Sequence, residues 1–147
     1  MSEIRADGDR HRIVTATEPD LDPAEFGRVL IESGLGAQRP VDDPDRLRRM
    51  IAGADVIVTA RLDLDGRPLV GVARGISDGA WACYLAEVAV TKSAQGLGVG
   101  RALLDAARAA VGPEVAVILA SVPDATGFYE RTGMERLDDA FWFRRQR

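Results

Sequence analysis

The sequence predicts one α/β domain, of the α+β kind with a mixed sheet flanked by helices. Three observations predict it. Two hairpin signals, Asp65-Gly66 and Asp78-Gly79, join successive apolar runs. An apolar run over residues 81–90, a glycine-rich loop and a helical pattern then follow one another without a break. The chain has 147 residues, 46% of them hydrophobic, enough for one good core and too few for two domains.

The elements follow in order. Residues 1–11 are polar and read as a flexible tail, with His11 at the surface. Residues 12–17 read as the first strand. Asp22 is a good N-cap for a helix over 24–33, and Gly34-Leu35-Gly36 breaks it. Asp43-Pro44 opens a second helix that runs through 50–52. Residues 56–62 alternate as a strand does. Asp65-Gly66 turns the chain back along 68–76, and Asp78-Gly79 leads into residues 81–90. That run is apolar on both faces except at Glu87, so it reads as a central strand covered on both sides.

Beyond the loop, Val99, Ala102, Leu103, Ala106, Ala107, Ala110 and Val111 share one helix face. Their small side chains imply close docking on the sheet. Gly112-Pro113 ends this helix, because Pro113 disfavours the helical conformation at the residue before it. Residues 115–119 form a strand. Asp124 caps a short helix over 125–132, with Gly133 as its C′ residue. Residues 134–137 and 141–145 read as two last strands. The order is β-α-α-β-β-β-α-β-α-β-β.

The loop is the most informative stretch. Residues 95–101 read Gln-Gly-Leu-Gly-Val-Gly-Arg. Glycines let the backbone approach an anion, and the open amides and positive dipole end of the next helix face it. The dinucleotide fingerprint fails, because Arg101 stands where its third glycine belongs. The triphosphate loop fails too, since no Lys-Ser or Lys-Thr follows a glycine. What remains is Gln95-x-x-Gly98-x-Gly100, with the plain-turn reading beside it.

That pattern resembles the pyrophosphate loop of the GNAT acyltransferases, [QR]-x-x-G-x-[GA]. A second motif agrees: Phe128-Tyr129-Glu-Arg-Thr-Gly133-Met134 looks like the family's late F-Y-x-x-x-G-[FM] segment. The resemblance covers about the C-terminal half of the chain and the layout of the rest. It implies a GNAT-like fold, splayed after the 81–90 strand to admit the pantetheine arm of acetyl-CoA. It implies cofactor contacts at Val88, Ala89, Val90, Gln95, Gly96, Leu97, Gly98, Val99, Gly100 and Arg101, with Lys92 or Arg101 supplying positive charge. One departure stands out. Many members carry Asn seven residues before the tyrosine, and this chain has Val122 there.

The expected reaction is transfer of acetyl from acetyl-CoA to a primary amine of a small molecule or peptide, by direct attack in a ternary complex. The alternative is a non-catalytic acetyl-CoA-binding or sensing domain of the same fold. A binder of another phosphate-bearing ligand is a third reading. In the family the tyrosine is the candidate acid for the leaving thiolate, so Tyr129 is assigned that role, against a core aromatic bonded through its hydroxyl. Glu87, the one charge in the central strand, is either the base for the amine or a structural carboxylate. Tyr84, Trp81 and Trp142 either wall the acceptor pocket or pack in the core.

Composition narrows the partners. With 19 basic and 23 acidic residues, the net charge is −4, so no general attraction to nucleic acid is expected. No run approaches the roughly 20 apolar residues of a membrane span, and the N-terminus lacks signal-peptide character, so a cytoplasmic protein is expected. Cys83 is the single cysteine, which excludes an internal disulfide and reads as a buried, inert thiol. No His/Cys/Asp/Glu cluster has metal-ligand spacing, so no metal is assigned. The C-terminal strands either complete the chain's own sheet or pair across a homodimer.

Overall fold

The structure is a computed structural model that describes residues 3–5 and 12–147. One six-stranded sheet runs in chain order: β1 (Glu3–Arg5), β2 (Arg12–Thr17), β3 (Val56–Leu62), β4 (Leu69–Ser77), β5 (Ala82–Val90) and β6 (Ala116–Leu119). The first five pair antiparallel, and β6 alone lies parallel to its neighbour. Hairpins produce the antiparallel pairs, while the step from β5 to β6 needs a helical crossover. The strand at Glu3–Arg5 falls within the segment expected to be a tail. His11 lies outside the described residues.

Helix α1 (Pro23–Ser33) begins at Asp22, whose carboxylate accepts from the amide of Ala24 at 3.1 Å. Helix α2 (Pro44–Ala52) begins at Asp43, which accepts from the amide of Arg46 at 3.0 Å. Both caps are where the sequence placed them. The two helices cover one sheet face, where Phe26, Leu30, Leu47 and Ile51 pack on Ile57, Leu69, Val72 and Ala89. Helix α3 (Val99–Val111) covers the other face, where Val99, Leu103 and Ala107 pack on Val58, Ala73, Cys83 and Leu85. Burial raises the thiol pKa of Cys83, which keeps it protonated and inert. Ala110, expected on the buried face of α3, is exposed beside a groove that Thr15 and Thr17 also line.

The end of the sequence departs from expectation. Residues 134–137 and 141–145 form no strands, and every residue from 135 to 147 is exposed. Apolar alternation makes a strand only where an edge is there to pair with, and this segment pairs with no described strand of the sheet. Asp124 does not cap the last helix either. It sits in a 3-10 turn over Pro123–Ala125, and α4 (Thr126–Arg131) starts behind it without a side-chain cap. Gly133 does close α4, at φ +94°. Its amide donates to Glu130 O at 3.1 Å and that of Met134 to Tyr129 O at 3.3 Å, a Schellman closure.

An ionic cluster ties β3 to the start of α1. Arg61 Nε donates to Glu18 at 2.8 Å and Arg61 Nη1 to Glu25 at 2.9 Å, and the Thr59 hydroxyl also donates to Glu18. The Arg61 hydrogen bond outweighs the opposing burial and holds the Glu18 carboxyl below its ordinary 4.5. A depressed folded pKa means stability that is present above the unfolded value and lost as pH falls through the folded one. Thermal midpoints measured from about pH 6 to pH 3 should therefore fall less steeply for Glu18→Gln than for the parent, most visibly below about pH 4.5. Equal slopes would show that the cluster adds no acid sensitivity.

Candidate active site

Strand β5 builds the centre of the site by changing its relation to both neighbours. Against β4, Arg74 faces Glu87 but Gly75 faces Leu85, so Ala86 is an extra, bulged residue. Against β6, pairing starts at Ala82 and stops at Leu85. Beyond that point no described strand lies beside the outer edge of β5. The amide of Thr91 donates to Val70 O at 2.8 Å, toward β4. Alternation along a strand then turns the Val88 and Val90 amides to the open edge. Ala89 turns its amide the other way and buries its methyl in the cluster under α1.

The glycine loop stands at this edge. The Gln95 side chain donates to Val90 O at 3.0 Å and so ties the loop to the end of β5. Gly96 and Gly98 have φ of +82° and +83°, a region that L side chains resist. Gly98 is also the N-cap of α3 and offers no side chain to its amides. The amides of Val99, Gly100 and Arg101 thus begin the helix without an acceptor among the described residues, at the positive end of its dipole. Val99 is buried and can contribute only its backbone, Leu97 packs on the core, and Arg101 is exposed. The Lys92 stem lies near the end of α1, its Cε 3.6 Å from where a Cβ on Gly34 would stand.

Gly100 has a different reason to be glycine. Its φ is ordinary, but a Cβ there would lie 2.9 Å from Phe128 Cζ. The missing side chain lets α4 dock on the first turn of α3 and brings in Tyr129, whose ring lies 5.0 Å from that of Phe128. Burial raises the Tyr129 pKa, so its hydroxyl is protonated at neutral pH. None of the described residues accepts its proton. The hydroxyl is therefore available to a ligand, as an acid requires and a bonded core tyrosine would not be.

Glu87 is placed otherwise than a base requires. It is 3% exposed. Arg74 Nε donates to it at 2.5 Å and Arg74 Nη2 at 2.9 Å, and Arg39 Nε donates at 2.7 Å. Two guanidinium groups stabilise the carboxylate and occupy its lone pairs. The sequence left open a base or a structural carboxylate, and the structure places Glu87 as a buried carboxylate paired with Arg39 and Arg74. Arg39 Nη2 also donates to Ala86 O at 2.7 Å, the carbonyl that the bulge takes out of the sheet ladder.

Sequence reasoning missed Arg39 and Arg74. Arg74 had a visible signal, a charge inside an apolar strand that would face Glu87 in the hairpin. Arg39 had none, being 48 residues from its partner. Trp81 precedes β5 and is exposed, as are Tyr84 and Trp142, so none of the three packs in the core. Val122 is exposed in the turn before α4 and supplies no polar side chain. Among the described residues, no group of three His, Cys, Asp or Glu could hold a metal ion, and no helix is long and apolar enough to cross a membrane.

A family model described as acetyltransferase (GNAT) domain matches residues 33–144, and the chain belongs to that family. Solved structures agree. A protein of Deinococcus radiodurans R1 assigned as an acetyltransferase is 28% identical, with a TM-score of 0.71 over 90% of this chain and 88% of that one. A GNAT-family acetyltransferase of Streptococcus pneumoniae TIGR4 is 22% identical, with a TM-score of 0.72 over 91% and 99%. An aminoglycoside acetyltransferase from an uncultured soil metagenomic sample, solved with sisomicin, is 16% identical with a TM-score of 0.67 over 91% and 97%. The last two likenesses are of fold alone. No curated protein matches the chain.

Proposed function

We propose that the protein transfers an acetyl group from acetyl-CoA to a primary amine by direct attack in a ternary complex. One observation carries the reading: β5 and β6 part at Leu85, beside a loop whose helix amides have no acceptor among the described residues. The residues suit such a co-substrate. Positive-φ glycines with open space above them leave room for a pyrophosphate at the amides of residues 98–101. The outward amides of Val88 and Val90 can bond the amide-rich pantetheine arm, and one of them can polarise a thioester oxygen.

Acetyl-CoA would supply the activated thioester. The chain holds it against the edge of β5, orients the carbonyl, and presents the Tyr129 proton to the departing sulfur. The amine nitrogen gains the bond to the carbonyl carbon, the C–S bond breaks, and the surplus amine proton leaves to solvent. Glu87 holds the bulge and takes no proton.

Thermal unfolding with acetyl-CoA, CoA, ADP and NAD in parallel tests the donor. A ligand at about 100 times its Kd adds roughly 2.7 kcal/mol of stability. A shift with acetyl-CoA and CoA alone, followed by thiol release with an amine panel, is the expected result. Equal shifts with ADP and NAD would overturn it. A shift without any thiol release would leave an acetyl-CoA-binding domain. Gly98→Val should weaken acetyl-CoA binding by at least about tenfold in calorimetry, since a β-branched residue resists the αL conformation by roughly 1–2 kcal/mol and crowds the anion. Unchanged affinity would place the phosphates elsewhere.

A further inference from the structure

The charge beside the bulge bears on what the protein accepts. Val72, Arg74 and Ile76 alternate along β4 onto the sheet face that α1 and α2 cover, and they stand opposite Ala89, Glu87 and Tyr84 of β5. Helical cover ends at the Arg74–Glu87 pair, where Arg74 Nη1 donates to Met50 O of α2 at 3.4 Å. The next row along this face, Ile76, Tyr84 and Ile118, is 49%, 47% and 43% exposed. Arg39 stands at the rim between covered and bare face. It follows the 3-10 turn Leu35–Gln38 after α1. Its side chain is 23% exposed, against 8% for Arg74 and 1% for Glu87. Two guanidinium groups thus share one carboxylate. Among the described residues neither arginine pairs with another acid, so a largely buried cluster carries one surplus positive charge. Such a charge is costly unless an anion meets it. Arg39 donates to Glu87, Gln38 O and Ala86 O. A guanidinium has more N–H groups than those bonds use, so the partly exposed Arg39 retains donors for a ligand.

We infer that the acceptor is an α-amino acid with an apolar side chain. Arg39 holds its carboxylate, its amine faces the thioester, and its side chain lies on the Ile76–Tyr84–Ile118 row. The amine end of this assignment rests on the acyl transfer proposed above. The spacing agrees. Arg39 Nη2 lies 2.7 Å from Ala86 O. Val88, whose amide faces the open edge, is two residues further on, about 7 Å along the strand. An amine and a carboxylate on one carbon span that gap when the nitrogen stands roughly 3–3.5 Å from the carbonyl carbon. The charge also explains how the amine loses its proton. A like charge nearby disfavours an ammonium group. The surplus on Arg39 and Arg74 therefore favours the neutral amine, which is the form that attacks, without Glu87 acting as base. A polyamine or an aminoglycoside would bring several positive charges to the same place and is disfavoured there.

Calorimetry with and without CoA reads the acceptor site independently of turnover. N-acetylleucine should bind at least about tenfold more tightly than N-acetylleucinamide, as a charge-assisted bond to a carboxylate implies. Arg39→Gln should bring the two within about threefold, while Arg39→Lys, which keeps the charge but not the fork, should retain part of the preference. Melting curves establish that both variants are folded. N-acetylglycine should bind more weakly than N-acetylleucine, by a margin that Tyr84→Ser narrows. Equal affinity of the parent for acid and amide would overturn the inference, and so would a preference for N-acetylspermidine. A carboxylate preference that survives intact in Arg39→Gln would overturn it as well, and equal binding of the glycine and leucine compounds would overturn the apolar part. Thiol release separates this inference from the reaction. Preference for the acid with no release from leucine would strike the acyl transfer and leave the carboxylate site. Release from polyamines alone would keep the transfer and strike the site.

Discussion

Tyr129→Phe is expected to lower turnover by about 10²–10⁴-fold, the usual range for a missing general acid. That corresponds to about 3–5 kcal/mol of barrier. The affinity for CoA should stay within about threefold, because the ring that packs beside Phe128 is retained and only the hydroxyl is removed. Rapid-quench turnover and calorimetry with CoA separate the two quantities. The expectation rests on a half-buried hydroxyl that is kept protonated by burial and has no acceptor among the described residues. Turnover unchanged in Tyr129→Phe would assign the proton to another donor, with solvent reaching the sulfur. A parallel loss of CoA affinity would make Tyr129 a packing residue.

Glu87→Ala should be the most destabilising single change at the site. It removes the one carboxylate that faces Arg74 and Arg39 among the described residues and leaves a buried guanidinium uncompensated. Breaking a buried pair this way costs about 3–5 kcal/mol, a large part of the 5–15 kcal/mol that holds a typical domain folded. Glu87→Gln should lose less, since the amide oxygen still accepts. It should also keep the pH profile of turnover, displaced in height alone. The opposite pattern, an unchanged melting temperature with loss of the basic-limb activation in Glu87→Gln, would return Glu87 to the role of base.

Much of the frame was legible because its signals are local. Asp22 and Asp43 cap their helices, Asp65-Gly66 and Asp78-Gly79 turn their hairpins, and α3 spans the residues its apolar face marked. In the loop, the helix-start amides follow from sequence, because glycine at Gly96 and Gly98 leaves few other uses for that backbone. What was illegible depends on distant partners. The pairing of Arg39 with Glu87 closes over a long loop, and nothing near either residue announces it. The C-terminal aromatic segment has the alternation of a strand, but pairing depends on meeting a sheet edge, and the segment pairs with none of the described strands. The sequence of β5 reads as apolar on both faces and so implies cover throughout. Its apolar residues in fact serve different sides before and after Ala86, and the stretch around Tyr84 is bare.

The bulge at Ala86 makes this protein sensitive to chain length in a way that it is not sensitive to side-chain identity. Val88 and Val90 contribute amides, so exchange for other β-formers changes little at the open edge. Removing the single residue Ala86 would leave nearly the same composition and the same hydrophobic content. It would also rotate everything from Glu87 to Val90 by half a turn, aim the two amides at β4, and carry Glu87 away from both arginines. Among divergent copies of this gene, exchanges between β-formers at Val88 and Val90 should accumulate freely, while insertions and deletions between Leu85 and Thr91 should be purged.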